Sequence, residues 1–359
     1  MLLLCITGLP LIFHHEIDHL LGNTIEAPPM PVDTPRADLD QVVAAAVALH
    51  PGKVPILGSL DDHDSAIWYI TVADSAAADD GETVAVDGRT AAVLAQPDFE
   101  SGFIYIMFKL HVDMFAGLPG KWFLGIMGLL LCTAIVSGIV LYAPFMRKLA
   151  FGTVRRQRSD RVKWLDLHNL LGVVTVAWAL AVGFTGALNT VNDLVLFYWK
   201  NDQLADMIAP YKDQPVLEKP GSLEQSARAA EKLESDMVIS LIAFPGTSFT
   251  SPLHYAFFMK GTEPLTARLL KPVLVDAQTA LVAESRELPL YAKAMLLSQP
   301  LHFGDYGGVP LQIFWALLDV ITIIVLWSGL VLWWRKRKQP VDNILREAEG
   351  FNSAAPGGA

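Results

Sequence analysis

The sequence predicts an α-helical membrane protein: four transmembrane helices in a pseudo-twofold repeat, carrying two external α+β modules. Three observations predict it. First, the 359 residues are 52% hydrophobic and only 18% charged, with a mean hydropathy of +0.38. This excludes disordered, collagen-like and disulfide-scaffold classes. Second, three stretches reach the roughly 20 apolar residues that a hydrocarbon core of about 30 Å requires. Trp122 to Phe145 and Leu170 to Val191 hold no charge, and Val309 to Trp334 holds only Asp319. Third, the same marks recur in the same order in both halves of the chain.

A fourth apolar stretch, Met1 to Phe13, covers only about 20 Å. It lacks the basic n-region and small-residue cleavage site of a signal peptide. It therefore reads as a first span whose cytoplasmic half lies upstream. Orientation follows from Lys and Arg. The connection from Met146 to Asp166 holds seven basic residues against two acids, and the tail after Trp334 opens with RKRK, so both face the cytoplasm. The long connections are then external, in a bacterium periplasmic. They are acidic: 17 acids against 4 bases in 14–118, and 14 against 10 in 191–309. The net charge of −10 argues against a nucleic-acid partner.

The repeat is quantitative. Each apolar segment contains a Ser/Thr-Gly pair: Thr7-Gly8, Ser137-Gly138, Thr185-Gly186 and Ser328-Gly329. VAVDGRTAAVLA at 84–95 matches VLVDAQTALVAE at 273–284, and Leu-His pairs place His111, His168 and His302 ahead of three segments. His111 precedes Gly138 by 27 residues and His302 precedes Gly329 by 27, so both belong at one depth near the periplasmic side. They should face each other across an axis along the membrane normal. His168 precedes Gly186 by 18, at the cytoplasmic end of the third span; its mate would fall ahead of Met1, where a longer chain is expected to carry a histidine.

Neutral imidazoles on facing helices grip an iron porphyrin from both sides. No Asp or Glu lies near either histidine to complete a non-haem iron or zinc site, so haem is favoured over a bare metal. Cys5 and Cys132 sit inside apolar runs and build no disulfide framework or C-x-x-C site; redox chemistry needs a bound cofactor. The glycines leave room either for a flat macrocycle or for a neighbouring helix, and the hydroxyls beside them can bond to a helix carbonyl or to a propionate. At HHEID, His14 is open to iron ligation, substrate contact, proton shuttling or a plain interfacial role; the motif is not H-E-x-x-H. His50, His63 and His254 read as ordinary residues of the external modules. Asp319, inside the fourth span, reads as a proton relay, a hydroxyl partner or a protonated structural residue.

In the first module, helical periodicity runs over 38–50, followed by strands at Trp68 to Val72 and Thr83 to Val86 and a hairpin arm at Ala91 to Ala95. The second repeats the order with a helix at Leu223 to Glu234 and strands near Val238 to Phe244, Tyr255 to Lys260, Ala267 to Leu274 and Leu281 to Glu284. Neither module carries a phosphate loop, a Ser-His-Asp order or a cysteine nucleophile. The cytoplasmic segments hold no flavin or nicotinamide fingerprint.

ITGLPLIFHHEID, LHVDMF, the VxVDxxT hairpins, LHNLLG with FTGALN, LHFGDYGG and SGLVLWWRKRK together resemble the PepSY-associated transmembrane family, over essentially the whole chain. That resemblance implies a four-helix domain binding b-type haems, with ferric-siderophore reduction at the periplasmic side of the inner membrane in some members. On it, the chain divides into a first transmembrane helix at 1–20, a PepSY-like module at 21–105, a second helix with a periplasmic His lead-in at 106–145 and a basic loop at 146–166. A third helix at 167–191, a second PepSY-like module at 192–300, a fourth helix with its His lead-in at 301–335 and a tail at 336–359 complete it.

The expected function is an inner-membrane haem b oxidoreductase that reduces a periplasmic ferric siderophore and releases Fe(II). His111 and His302 would ligate the periplasmic-side haem and His168 a cytoplasmic-side one, with His14 a further cofactor-binding candidate; one or two haems per chain are expected. Electrons would come from quinol or a separate reductase. The acidic exterior suits a cationic or neutral ferric chelate. The rival reading is a non-enzymatic envelope protein whose PepSY modules bind peptide or protease partners.

Overall fold

The computed structural model describes residues 1–31, 33–146, 151–155, 159–263 and 266–337. Of the basic residues in the connection 146–166 and in the C-terminal tail, Arg147, Lys148, Arg156, Arg158, Lys338 and Arg346 lie outside the described residues.

The chain opens with a short apolar helix, α1 (Leu2–Ile12), and α2 (His14–Leu21), which ends on Gly22 in the left-handed conformation. A helix α3 (Leu39–Leu49) and strands β1 (Val54–Leu60), β2 (Ile67–Ala73), β3 (Glu82–Asp87) and β4 (Val93–Ala95) follow. A separate helix α4 (Gly102–Val112) leads into the long α5 (Gly117–Met146). The second half runs α6 (Asp160–Asn189), then α7 (Asn192–Trp199) through a π turn at Lys200–Leu204 into α8 (Ala205–Ile208), then α9 (Leu223–Leu233). Strands β5 (Met237–Ala243), β6 (His254–Gly261), β7 (Leu270–Asp276) and β8 (Val282–Ser285) precede α10 (Leu290–Phe303) and the long α11 (Gly308–Arg337).

Among the described residues three helices are long and apolar enough to cross a membrane: Gly117–Ala143, Asp160–Asn189 and Asp305–Trp334. They coincide with the three predicted spans, the first two ending two residues before the predicted limits Phe145 and Val191 and the third containing its span whole. The histidine lead-ins are distinct helices, which the spacing alone did not reveal. Met114 and Phe115 at φ 54° and 57° and Gly117 at 62° break the chain between α4 and α5; Gly304 at 77° and Gly308 at 61° break it between α10 and α11. α6 packs on α5, α10 and α11, and α1 on α4 and α11.

The strands of the two halves do not form separate sheets. They make one eight-stranded antiparallel sheet in the order β4-β3-β2-β1-β5-β6-β7-β8, joined by pairing of Leu57, Gly58 and Ser59 with Ala243, Ile242 and Leu241. β1, the joining strand, has no counterpart in the sequence reading of the first module, because Pro55 and Gly58 mark that stretch as irregular. Pro55 lies where β1 shifts register against β2, and Gly58 lies against Ile70 and Ile242, where a Cβ would stand 3.3 Å from Ile70 Cδ1. On one face α3 and α9 bury Val42, Ala46, Ala227 and Ala230 against Trp68, Val84, Phe257 and Val273. On the other, Trp199, Leu204 and Met207 of the α7–α8 segment and Ala292 of α10 pack against Ala256, Phe258 and Leu274. The sheet therefore rests on elements continuous with the membrane helices.

The two halves also cap each other. Asp40, in the first turn of α3, accepts from Ser222 Oγ at 2.6 Å and from the backbone N–H of Leu223 at 2.7 Å, at the start of α9. Glu224, its counterpart in α9, accepts from the backbone N–H of Leu39 at 3.1 Å and pairs with Arg36 and Arg228. Each carboxylate thus satisfies donors that the partner helix leaves open.

The β1–β2 turn is a foot of the sheet on the membrane helices. Asp62 receives Lys260 at 2.6 Å and Arg268 at 3.2 Å, and Arg268 continues to Asp305 beyond α10 at 2.5 Å. On the other side His63 stacks on His15 with ring centroids 4.0 Å apart, and His14 meets it edge-on at 6.3 Å. Burial pushes His63 below the usual imidazole range, and His15 and His14 add to this, against Asp61 and Asp62.

Asp40→Ala is expected to cost about 1–2 kcal/mol and to raise amide hydrogen exchange first at the N-terminus of α9 rather than of α3. For the foot, a His63 pKa lowered by folding makes the neutral contact fully present above about pH 6.5 and lost on acidification below that. Intrinsic-rate-corrected hydrogen exchange in residues 61–66 should therefore rise between pH 7.5 and 5.5, and His63→Gln should abolish that pH dependence.

Candidate functional site

Each of the three predicted histidines lies against a Ser/Thr-Gly pair of a neighbouring helix. His111, at the end of α4, meets Thr7 Oγ1 through Nδ1 at 3.0 Å. His302, at the end of α10, meets the Val182 carbonyl at 3.0 Å and Thr185 Oγ1 at 3.4 Å. His168, in α6, meets the Val325 carbonyl at 3.1 Å and Ser328 Oγ at 3.0 Å on α11. The adjoining glycine is where the ring rests. A Cβ on Gly8, Gly186 or Gly329 would stand 3.0, 2.8 or 3.4 Å from the Cε1 of His111, His302 or His168. The glycines admit an imidazole, a third role beside the macrocycle and helix contacts considered from sequence. Ser137-Gly138, the fourth pair, faces open space: nothing lies within 4 Å of a Cβ on Gly138.

The hydroxyls settle the tautomers. Thr7, Thr185 and Ser328 each donate to a carbonyl of their own helix, Leu3 at 2.8 Å, Ala181 at 2.7 Å and Val325 at 2.7 Å, so they accept from the imidazole. Val182 and Val325 carbonyls can only accept. In all three histidines Nδ1 is therefore the donor, and in the neutral ring Nε2 is the nitrogen that carries the lone pair. That is the second-shell arrangement of a metal-ligating imidazole.

His111 and His302 face each other, ring centroids 6.0 Å apart and planes at 60°. One metal atom about 2 Å from each Nε2 would hold two rings at roughly this separation. The facing geometry that the repeat predicted is present. His168 belongs to a different layer, seated on α11. Among the described residues no group of three His, Cys, Asp or Glu side chains is arranged around a metal position, so what converges is a pair of imidazoles.

The remaining candidates fall elsewhere. His14 is exposed, bonds the Leu11 carbonyl through Nδ1 at 3.0 Å and belongs with His15 and His63, a cluster that the sequence did not bring together. His254 is a buried core residue, with Nδ1 2.6 Å from Ser251 Oγ. Asp319 is buried on α11 beside the Cys5 thiol, and its Oδ2 has no partner among the described residues. On the basic side, Arg155 donates to the buried Asp166 carboxylate from both Nε and Nη2 and fixes the start of α6.

An uncharacterized protein of Pseudomonas aeruginosa is 24% identical to this chain over 265 residues, which cover 67% of this chain and 66% of that protein. A family model described as the PepSY-associated TM region matches residues 1–336. With three apolar helices of spanning length and a match over nearly its whole length, the chain is a membrane protein and belongs to the PepSY-associated TM region family.

Proposed function

We propose that this protein is a haem b oxidoreductase of the bacterial inner membrane that delivers electrons to a ferric siderophore on the periplasmic side and releases iron as Fe(II). The observation that carries the reading is the pair His111 and His302: two imidazoles bonded through Nδ1, with ring centroids 6.0 Å apart, presented by α4 and α10. They would hold one haem iron from both sides. When bound, the haem would supply one-electron chemistry, and His111 and His302 would be the residues that hold it.

The chain's own groups do the positioning. Thr7 and Val182 hold each ring by Nδ1, and Gly8 and Gly186 let it lie flush against the helix. The breaks after α4 and α10 uncouple both rings from the directions of the long spans. His168, held by Val325 and Ser328, would serve a second haem toward the cytoplasmic side. The four-strand, one-helix halves of the sheet are read as two PepSY-like modules, and α1 as part of a fourth span. Ferrous iron suits hard oxygen donors less well than ferric iron, so one-electron reduction loosens a chelate without hydrolysis. Quinol or a separate reductase would supply the electrons.

Protein purified from haem-sufficient cells should show a Soret band that shifts with dithionite and returns with a ferric siderophore. Colourless protein overturns the reading and favours a non-enzymatic binder of peptide or protease partners. His111→Ala and His302→Ala should remove the same share of the haem signal. Gly186→Val should match His302→Ala, because its Cβ would lie 2.8 Å from the ring.

A further inference from the structure

The two halves differ at one place that the reading above does not use. The helical segments repeat at a 191-residue offset from His111 to His302 and a 178-residue offset from Gly8 to Gly186. Lys121 of α5 forms an ion pair with Asp193 of α7 at 2.5 Å. At the equivalent positions of the other half stand Gln312, which donates to the Ile12 carbonyl at 3.2 Å, and His15, which has turned to stack on His63. Beneath the Lys121–Asp193 pair, between α5, the end of α6 and α7, lies a groove of about 620 Å³.

Its lining is almost wholly apolar. Trp122 and Ile126 form one wall and Leu194 and Phe197 the other; all four are more than half exposed. The floor is Gly125 and Ala187, and the polar groups, Thr190 and Asp193, collect at one end. Ala187 follows Gly186, the residue on which His302 rests, so only the thickness of α6 separates the groove from that imidazole. The volume falls within the usual range for a small-molecule pocket.

We propose that this groove binds the ring of an isoprenoid quinone or quinol, the electron-donor class left open above, and this identification rests on that reading. Trp122 and Phe197 offer aromatic surfaces to a flat ring, and the tail would leave between Ile126 and Leu194 into the hydrocarbon. Lys121 can donate to a quinone carbonyl and Asp193 can accept from a quinol hydroxyl. The Lys121–Asp193 pair is neutral overall, which suits an uncharged headgroup better than a phospholipid phosphate, whose sites collect net positive charge.

The test uses the full chain in phosphatidylcholine nanodiscs and a photoreactive azido-ubiquinone. Labelling should map to residues 118–129 and 187–197 and be competed by unlabelled ubiquinone. Ile126→Trp, which fills the groove, should reduce it about ten-fold, with Leu194→Trp replacing that variant if it fails to assemble. Val140→Trp, exposed on α5 away from the groove, should label as the parent does. Labelling spread evenly over exposed apolar faces, or unaffected by either groove variant, overturns the proposal and leaves an ordinary lipid groove. Haem content is read on the same samples. Colourless protein that labels at the groove keeps the quinone site and removes the reductase reading; haem-bearing protein that does not label does the reverse.

Discussion

An imidazole carried among apolar helices must have a partner for its N–H, and that requirement organises this molecule. His111, His168 and His302 each give Nδ1 to a helix carbonyl or hydroxyl and rest on a residue without a side chain. The repeated Ser/Thr-Gly pairs are the local consequence. The hydroxyl, already committed to its own helix, can only receive the imidazole proton, so in the neutral ring Nε2 is left bare with no carboxylate needed to hold Nδ1. A pair of such rings is suited to a metal held between them.

The two halves that carry His111 and His302 are joined to each other through the sheet as well as through the helices. The carboxylates of Asp40 and Glu224 reach into each other's helix starts, and β1 pairs with β5, so the two halves share one sheet and one core. α10 packs against that sheet directly, and the β1–β2 foot ties it through Arg268 and Asp305 to the residues just beyond His302. The sheet is therefore in direct contact with the helix that carries an imidazole. The same foot rests on His15, close to the end of α1, the helix against which His111 lies.

Much of this could be read from the sequence because membrane insertion and internal repetition are strong, local signals. The three spans, the external helices and the pairing of His111 with His302 follow from apolar length, 3.6-residue periodicity and equal spacing. β1 escaped because Pro55 and Gly58 read as punctuation, although the first sits at a register shift and the second is needed for close approach to β2 and β5. The separation of α4 and α10 from the spans was hidden because Met114 and Phe115, residues that ordinarily continue a helix, adopt positive φ there. The single sheet and the His14, His15 and His63 cluster depend on contacts far apart in sequence. No pattern within either segment announces them.

The junction of β1 with β5 has a meaning for the history of the chain. Strands β1–β4 and β5–β8 meet there edge to edge through an antiparallel pair, the kind of contact by which the sheets of two identical subunits can close a C2 dimer. The pairing leaves neither half of the sheet with bare hydrogen-bonding groups at the junction. Carrying both sides on one chain removes any dependence on concentration. It also frees each half to diverge, so that one side can keep an ion pair over an open groove while the other closes the same place with an amide and turns a histidine outward.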